Sequence, residues 1–178
     1  MGDNEKSTYR KVESALVALF REDRDLLDVN ANERSISHKL AEHLQKKFRK
    51  LKVDCEYNRH GRNVKELRYQ CDETAATNDL EAKTVFPDIV VHQRGSDESN
   101  LLVIEIKKAN LGKNAACDAA KLRAFTRKKE EGKYHYAIGL HLSLDVGVNR
   151  VRGVRCFKDG KEVRDTIWAN LKESGYGG

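Results

Sequence analysis

The chain has 178 residues, 39% hydrophobic and 35% charged, enough to close one core but with no apolar run near the roughly 18 residues a membrane helix needs. One proline and 12 glycines exclude collagen-like and proline-rich chains. The net charge of +6 is uneven: residues 1–106 carry 18 basic and 20 acidic side chains, residues 107–178 carry 16 and 8, so a polyanion-facing surface is expected in the second part.

Helical spacing begins at residues 8–22, where Val12, Leu16 and Phe20 stand four apart. A polar stretch follows, and Glu33 to Leu51 reads as a second helix through Ile36, Leu40, Leu44, Phe48 and Leu51, with Asn30 and Glu33 spaced as a capping box. Val53, Cys55 and Tyr57 alternate with polar residues as a half-buried strand. Val64, Leu67 and Tyr69 suggest a short strand in an otherwise polar stretch. Pro87 to His92 and Leu101 to Ile106 read as strands joined by a turn, the second apolar enough to be covered on both faces. Gly112 to Glu131 is helix-like, with Gly132 as its stop, and Tyr134 to Leu144 alternates as one long strand. Val151 to Val163 reads as a hairpin turning at Asp159-Gly160, and residues 165–173 as a closing helix. No linker or repeat divides the chain, so a single α/β domain spanning 1–178 is expected. Cys55, Cys71, Cys117 and Cys156 show no CxxC spacing, and the N-terminus has no signal-peptide shape; free thiols in a soluble, cytoplasmic protein are the expectation.

Two segments carry charge where burial is expected. Asp88 opens an apolar strand, and Glu105 and Lys107 share one face of another, opposite to Leu102, Ile104 and Ile106. A carboxylate so placed must be paired or bind a cation. A Glu105–Lys107 pair at a strand end, with Asp88 an ordinary turn acid, is the plain reading. The alternative is that acids from two adjacent strands hold a hard divalent cation, with Lys107 orienting water or neutralising charge on phosphorus.

Pro87-Asp88, followed 17 positions later by Glu105-Ile106-Lys107, resembles the PD-(D/E)xK signature of restriction-endonuclease-like nucleases. Residues 33–144 resemble that superfamily's αβββαβ core, a mixed central sheet flanked by helices, leaving an N-terminal helix (8–22) and a C-terminal extension (145–178). The strings Asn32-Glu33-Arg34-Ser35-Ile36 and Asp54-Cys55-Glu56-Tyr57-Asn58-Arg59 are similar to those of small bacterial members. The resemblance implies that Asp88, Glu105 and the Ile106 carbonyl bind Mg²⁺ or Mn²⁺ and that Lys107 positions water. It also implies a further acid on the preceding helix. Glu33 is chosen because it lies within about 20° of Leu40 on the apolar stripe, whereas Glu42 lies about 200° away. The helix after the motif offers Asp118, Lys121, Arg123, Arg127, Lys128 and Lys129. Lys121 with Asp118 fits a surface pair, and Lys108, Lys121, Arg127 and Lys128 are the expected phosphate contacts. Glu56 is a weaker site acid, and His92 shares a face with Asp88. The expectation is a metal-dependent nuclease acting on nucleic acid, DNA before RNA, with a homodimer natural if both strands are cut. A nucleic-acid-binding or regulatory module of the same fold without turnover is the alternative.

Overall fold

The computed structural model describes residues 3–60, 63–67, 83–96, 98–108 and 115–172. The chain begins with α1 (Asp3–Glu22), a short α2 (Arg24–Asp28) and α3 (Glu33–Lys47). Among the described residues ten strands follow: β1 (Lys52–Cys55), β2 (Arg59–His60), β3 (Asn63–Val64), β4 (Glu66–Leu67), β5 (Lys83–Thr84), β6 (Ile89–His92), β7 (Leu102–Lys108), β8 (Ile138–Asp145), β9 (Arg150–Lys158) and β10 (Lys161–Val163). Helix α4 (Ala115–Phe125) lies between β7 and β8, and α5 (Thr166–Ala169), followed by a 3₁₀ turn (Asn170–Lys172), closes the described chain. The class is α/β, built on a six-stranded mixed sheet in the order β1-β6-β7-β8-β9-β10. All its pairs are antiparallel except β7 with β8, which α4 joins as a crossover. β2 with β3 and β4 with β5 form two small ribbons beside it.

Alternation along the strands divides the core between the two sheet faces. Ile104 and Ile106 of β7, with Leu140 and Leu142 of β8, pack with Leu16, Phe20, Leu40 and Leu44 of α1 and α3. Val90 and Val103 face α4, packing with Leu122 and Phe125 and with Tyr134 and Tyr136. Gly139 lets α4 come close to β8: a Cβ there would stand 3.0 Å from the Thr126 methyl and 3.3 Å from Phe157 Cβ. The β9–β10 turn uses Asp159 and Gly160, both at positive φ, as a two-residue hairpin of this sequence type demands. A polar latch joins the two ends of the fold. The Lys158 ammonium binds Glu5 of α1 and Asp165, the N-cap of α5, and the Trp168 indole donates to Glu5.

Several elements differ from the sequence reading for local reasons. Helix α3 stops at Lys47 although the apolar spacing runs to Leu51. The Gln45 side chain ends it, donating to the carbonyls of Phe48 and Leu51 and accepting from Val53 N–H, while Phe48 and Leu51 still pack on the core. The cap of α3 is Asn32, accepting from Ser35 N–H, rather than an Asn30–Glu33 box. The stretch after α1 includes the short α2, and β1 ends at Cys55 because Glu56 takes φ 48°. Helix α4 ends at Phe125, well before Gly132, with the Thr126 hydroxyl donating to the Leu122 carbonyl. Tyr134 and Tyr136 precede β8 and face the α4 side, opposite to Ile138, Leu140 and Leu142, because His135 turns the chain at φ 34°. Tyr69 and Cys71 lie outside the described residues. Cys55 and Cys156 are free thiols, but Cys117 is disulfide-bonded, a pairing set by tertiary neighbours that sequence spacing does not reveal.

Candidate active site

The site forms where β6 and β7 separate. Ile89 pairs with Ile104, so Asp88 arrives beside Glu105 just as the ladder ends. The Ile106 N–H, beyond the last pair, donates instead to Asp88 Oδ2 at 2.7 Å. Glu105 and Lys107 leave β7 on the α4 side, as the strand period requires. Glu33 reaches the same place from the first turn of α3: its Oε1 accepts from Lys108 N–H at 3.0 Å and its Oε2 from Lys107 Nζ at 3.2 Å. The failed capping box is what frees this carboxylate.

Helix α4 supplies two more charges. Lys121 Nζ lies 2.9 Å from Glu105 Oε2 and 3.0 Å from Asp118 Oδ1. Asp118 Oδ2 is 3.6 Å from Lys107 Nζ and 3.9 Å from His141 Nε2. The result is a chain of alternating sign, Glu33–Lys107–Asp118–Lys121–Glu105, with Asp88 beside its end. Four carboxylates face two ammonium groups, an excess of two formal negative charges in a place where Glu105 is 1% and Asp118 4% exposed. Glu105 Oε1 and Asp118 Oδ2 are buried with no hydrogen-bond partner.

Electrostatics follows from that burial. Desolvation pushes the Glu105 carboxyl up to about 8, against the pull of Lys121, and raises Asp88 despite the Ile106 N–H. Burial would lower both lysines, but the Asp118 and Glu33 carboxylates hold Lys107 above the ordinary lysine range, and Glu105 and Asp118 do the same for Lys121. His141 is pushed down by burial, toward the neutral imidazole.

The expected residues are distributed as follows. Asp88, Glu105, Ile106, Lys107 and Glu33 come together. Lys121 also joins them, and its pair with Asp118 is buried rather than on the surface. Lys108 turns away to bind the carbonyls of Asn30 and Ala31 and the Asn30 side chain. Arg127 and Lys128 are exposed past the end of α4, toward the end of the sheet where β8 begins. Glu56 pairs with Arg34 at 2.7 Å. His92 is engaged elsewhere, 2.9 Å from Asp54 Oδ2, where Arg94 also binds. Sequence reasoning missed Asp118 and His141 as members of the site. Asp118 lies about 20° from Phe125 around α4, so its place on the buried stripe was available as a signal. His141 stands opposite Glu105 in the β7–β8 register, which sequence alone does not disclose.

A hard divalent cation suits this donor set in charge and in the orphaned Glu105 oxygen. Among the described residues, however, no three acids, histidines or cysteines converge closely enough to hold a metal by themselves. The two lysines stand between them. No family model, curated protein or solved structure matches the chain.

Proposed function

We propose that the protein is a metal-dependent phosphodiesterase of the PD-(D/E)xK type that hydrolyses nucleic acid, DNA in preference to RNA. The observation carrying this reading is the register that sets Asp88 beside Glu105, with Lys107 on the same face and Glu33 bonded to it. Asp88, Glu105 and the Ile106 carbonyl would hold Mg²⁺ or Mn²⁺. When bound, the cation supplies Lewis acidity toward a phosphoryl oxygen and lowers the pKa of a water. Lys107, kept protonated by Asp118 and Glu33, donates a hydrogen bond to the attacking water or to a phosphoryl oxygen as its charge grows. Glu33 fixes the reach of that ammonium, and Lys121 holds Glu105 in place. Cutting both strands of a duplex would need two copies of the site.

The test is cleavage of supercoiled plasmid, single-stranded DNA and RNA with Mg²⁺, Mn²⁺ or EDTA. Wild type should cut DNA only with metal, and Lys107→Ala should lose about 100-fold or more. Equal cutting by both proteins, or none by wild type, refutes the reading. One observation favours an inactive nucleic-acid-binding module instead: Glu105 Oε2 already holds the Lys121 ammonium. Binding without cutting would identify that alternative.

A further inference from the structure

At the end of the sheet opposite Asp88 and Glu105, two pockets of about 560 and 520 Å³ adjoin between the start of α1 and the end of α3, sharing Lys11 and Lys47. Their cationic lining comprises Lys6, Arg10, Lys11, Lys47, Arg49 and Lys50. None of these six makes an ion pair with another described residue, whereas Lys107, Lys108, Lys121 and Lys158 are all engaged. Lys11 rests its ammonium on the Phe48 ring, 4.9 Å from the centroid. The single acid among the described lining residues, Glu98, has Lys129 as a partner at 3.5 Å. Six cations thus surround a hollow in which no acid among the described residues pairs with them, and the serines at 7 and 14 add hydroxyl donors.

We infer that this groove is a second nucleic-acid contact, binding backbone phosphates away from the proposed catalytic centre. Phosphate matches a cationic lining with hydroxyl donors. A membrane fits less well. The described large apolar side chains that stand exposed are Val29, Phe86 and Val148, none of which lines the groove, so it has no apolar anchor to insert. Leu101 of the groove and Glu105 of the site lie four residues apart along the strand, roughly 13 Å or about four base pairs at 3.4 Å each, so a duplex longer than that spans the distance. The inference rests on the nucleic-acid partner proposed above, but not on cleavage.

The test measures binding of a 30-base-pair fluorescent DNA duplex by anisotropy in EDTA, from 50 to 200 mM salt, so turnover cannot intervene. Wild type is compared with Arg10→Gln/Lys47→Gln/Arg49→Gln, all exposed positions, and with Arg152→Gln/Lys161→Gln/Arg164→Gln, which removes equal charge elsewhere. Three lost phosphate contacts should flatten the slope of log K against log salt by roughly 3 and weaken binding tenfold or more at 100 mM. The control should keep the wild-type slope. Inorganic pyrophosphate at equal phosphate concentration should not displace the duplex, and phosphatidylserine vesicles should not bind more tightly than DNA. An unchanged slope in the groove variant, an equal loss in the control, displacement by pyrophosphate or preference for vesicles would each overturn the inference. Wild type that cuts DNA while the groove variant binds normally would remove the groove and leave the nuclease reading standing. Wild type that binds no nucleic acid would remove both.

Discussion

Replacing Lys121 by Met tests the electrostatic reading of the site most directly. The substitution keeps much of the side chain's length and removes one ammonium from between Glu105 and Asp118, at 2.9 and 3.0 Å. Their side chains are 2% and 5% exposed, so water cannot take the lysine's place. Breaking a buried pair of this kind costs about 3–5 kcal/mol. In a chain of this length that is a fall in Tm of roughly 6–20 °C. The loss should grow with pH. The folded protein holds the Glu105 proton to about 8 against an ordinary value of 4.5, so stability carried by the protonated form is complete below 4.5 and is lost as pH rises through 8. Without Lys121 the carboxyl is raised further, and more of the cost falls on alkaline conditions. A divalent cation should take over part of the ammonium's work, since ligand at 100 times its Kd adds about 2.7 kcal/mol, similar to the loss. The assay is thermal melting of wild type and Lys121→Met at pH 6 and 8.5, with and without Mn²⁺. A variant that melts within 2 °C of wild type at pH 8.5 without metal, or Mn²⁺ stabilising both proteins equally, would refute the reasoning.

Three further outcomes are expected. Because Glu105 must release a proton to accept a cation, Mn²⁺ affinity should weaken from pH 8 to 6, with proton release visible by calorimetry in buffers of different ionisation enthalpy; a pH-independent affinity would exclude Glu105 as a ligand. Burial would raise Asp54, but Arg94 and His92 hold it below 3.8, so its stabilisation is complete above that value and is lost as pH falls through the lower folded one. Asp54→Asn should therefore flatten the acid limb of urea midpoints between pH 5 and 2.5, and an unchanged limb would count against the cluster. Gly139→Ala should cost about 1–3 kcal/mol by pushing Thr126 and Phe157, read as a lower urea midpoint with an unchanged m-value.

The parts of this architecture that depend on period were legible in the sequence. Val12, Leu16 and Phe20 revealed α1, and the apolar run before Lys107 revealed the central strand. Glu33 was found because its angle on α3 put it on the core side. Asp118 was passed over because its spacing to Lys121 satisfied a surface pair, although its alignment with Phe125 argued for burial. The end of α3 was hidden for a different reason: Gln45 replaces helical hydrogen bonds with side-chain ones, and the apolar spacing continues through the connector. The charge asymmetry along the chain did not disclose the basic groove. It is built from Lys6 to Lys50, in the part whose net charge is slightly negative, because folding gathers cations that sequence averages against acids located elsewhere.

The Lys158 latch sets an order of events during synthesis. Glu5 meets the Trp168 indole across 163 positions, so the first helix cannot be fully seated until the ribosome has made nearly all of the described chain. At ordinary elongation rates of 5–20 residues per second, that wait lasts roughly 8–30 s. Over this interval Val12, Leu16 and Phe20 can reach α3 but not the Trp168 and Leu171 end of their shared core. A nascent chain halted before residue 158 would present an unfinished apolar helix to chaperones or to its neighbours, whereas a chain completed past 168 would withdraw it.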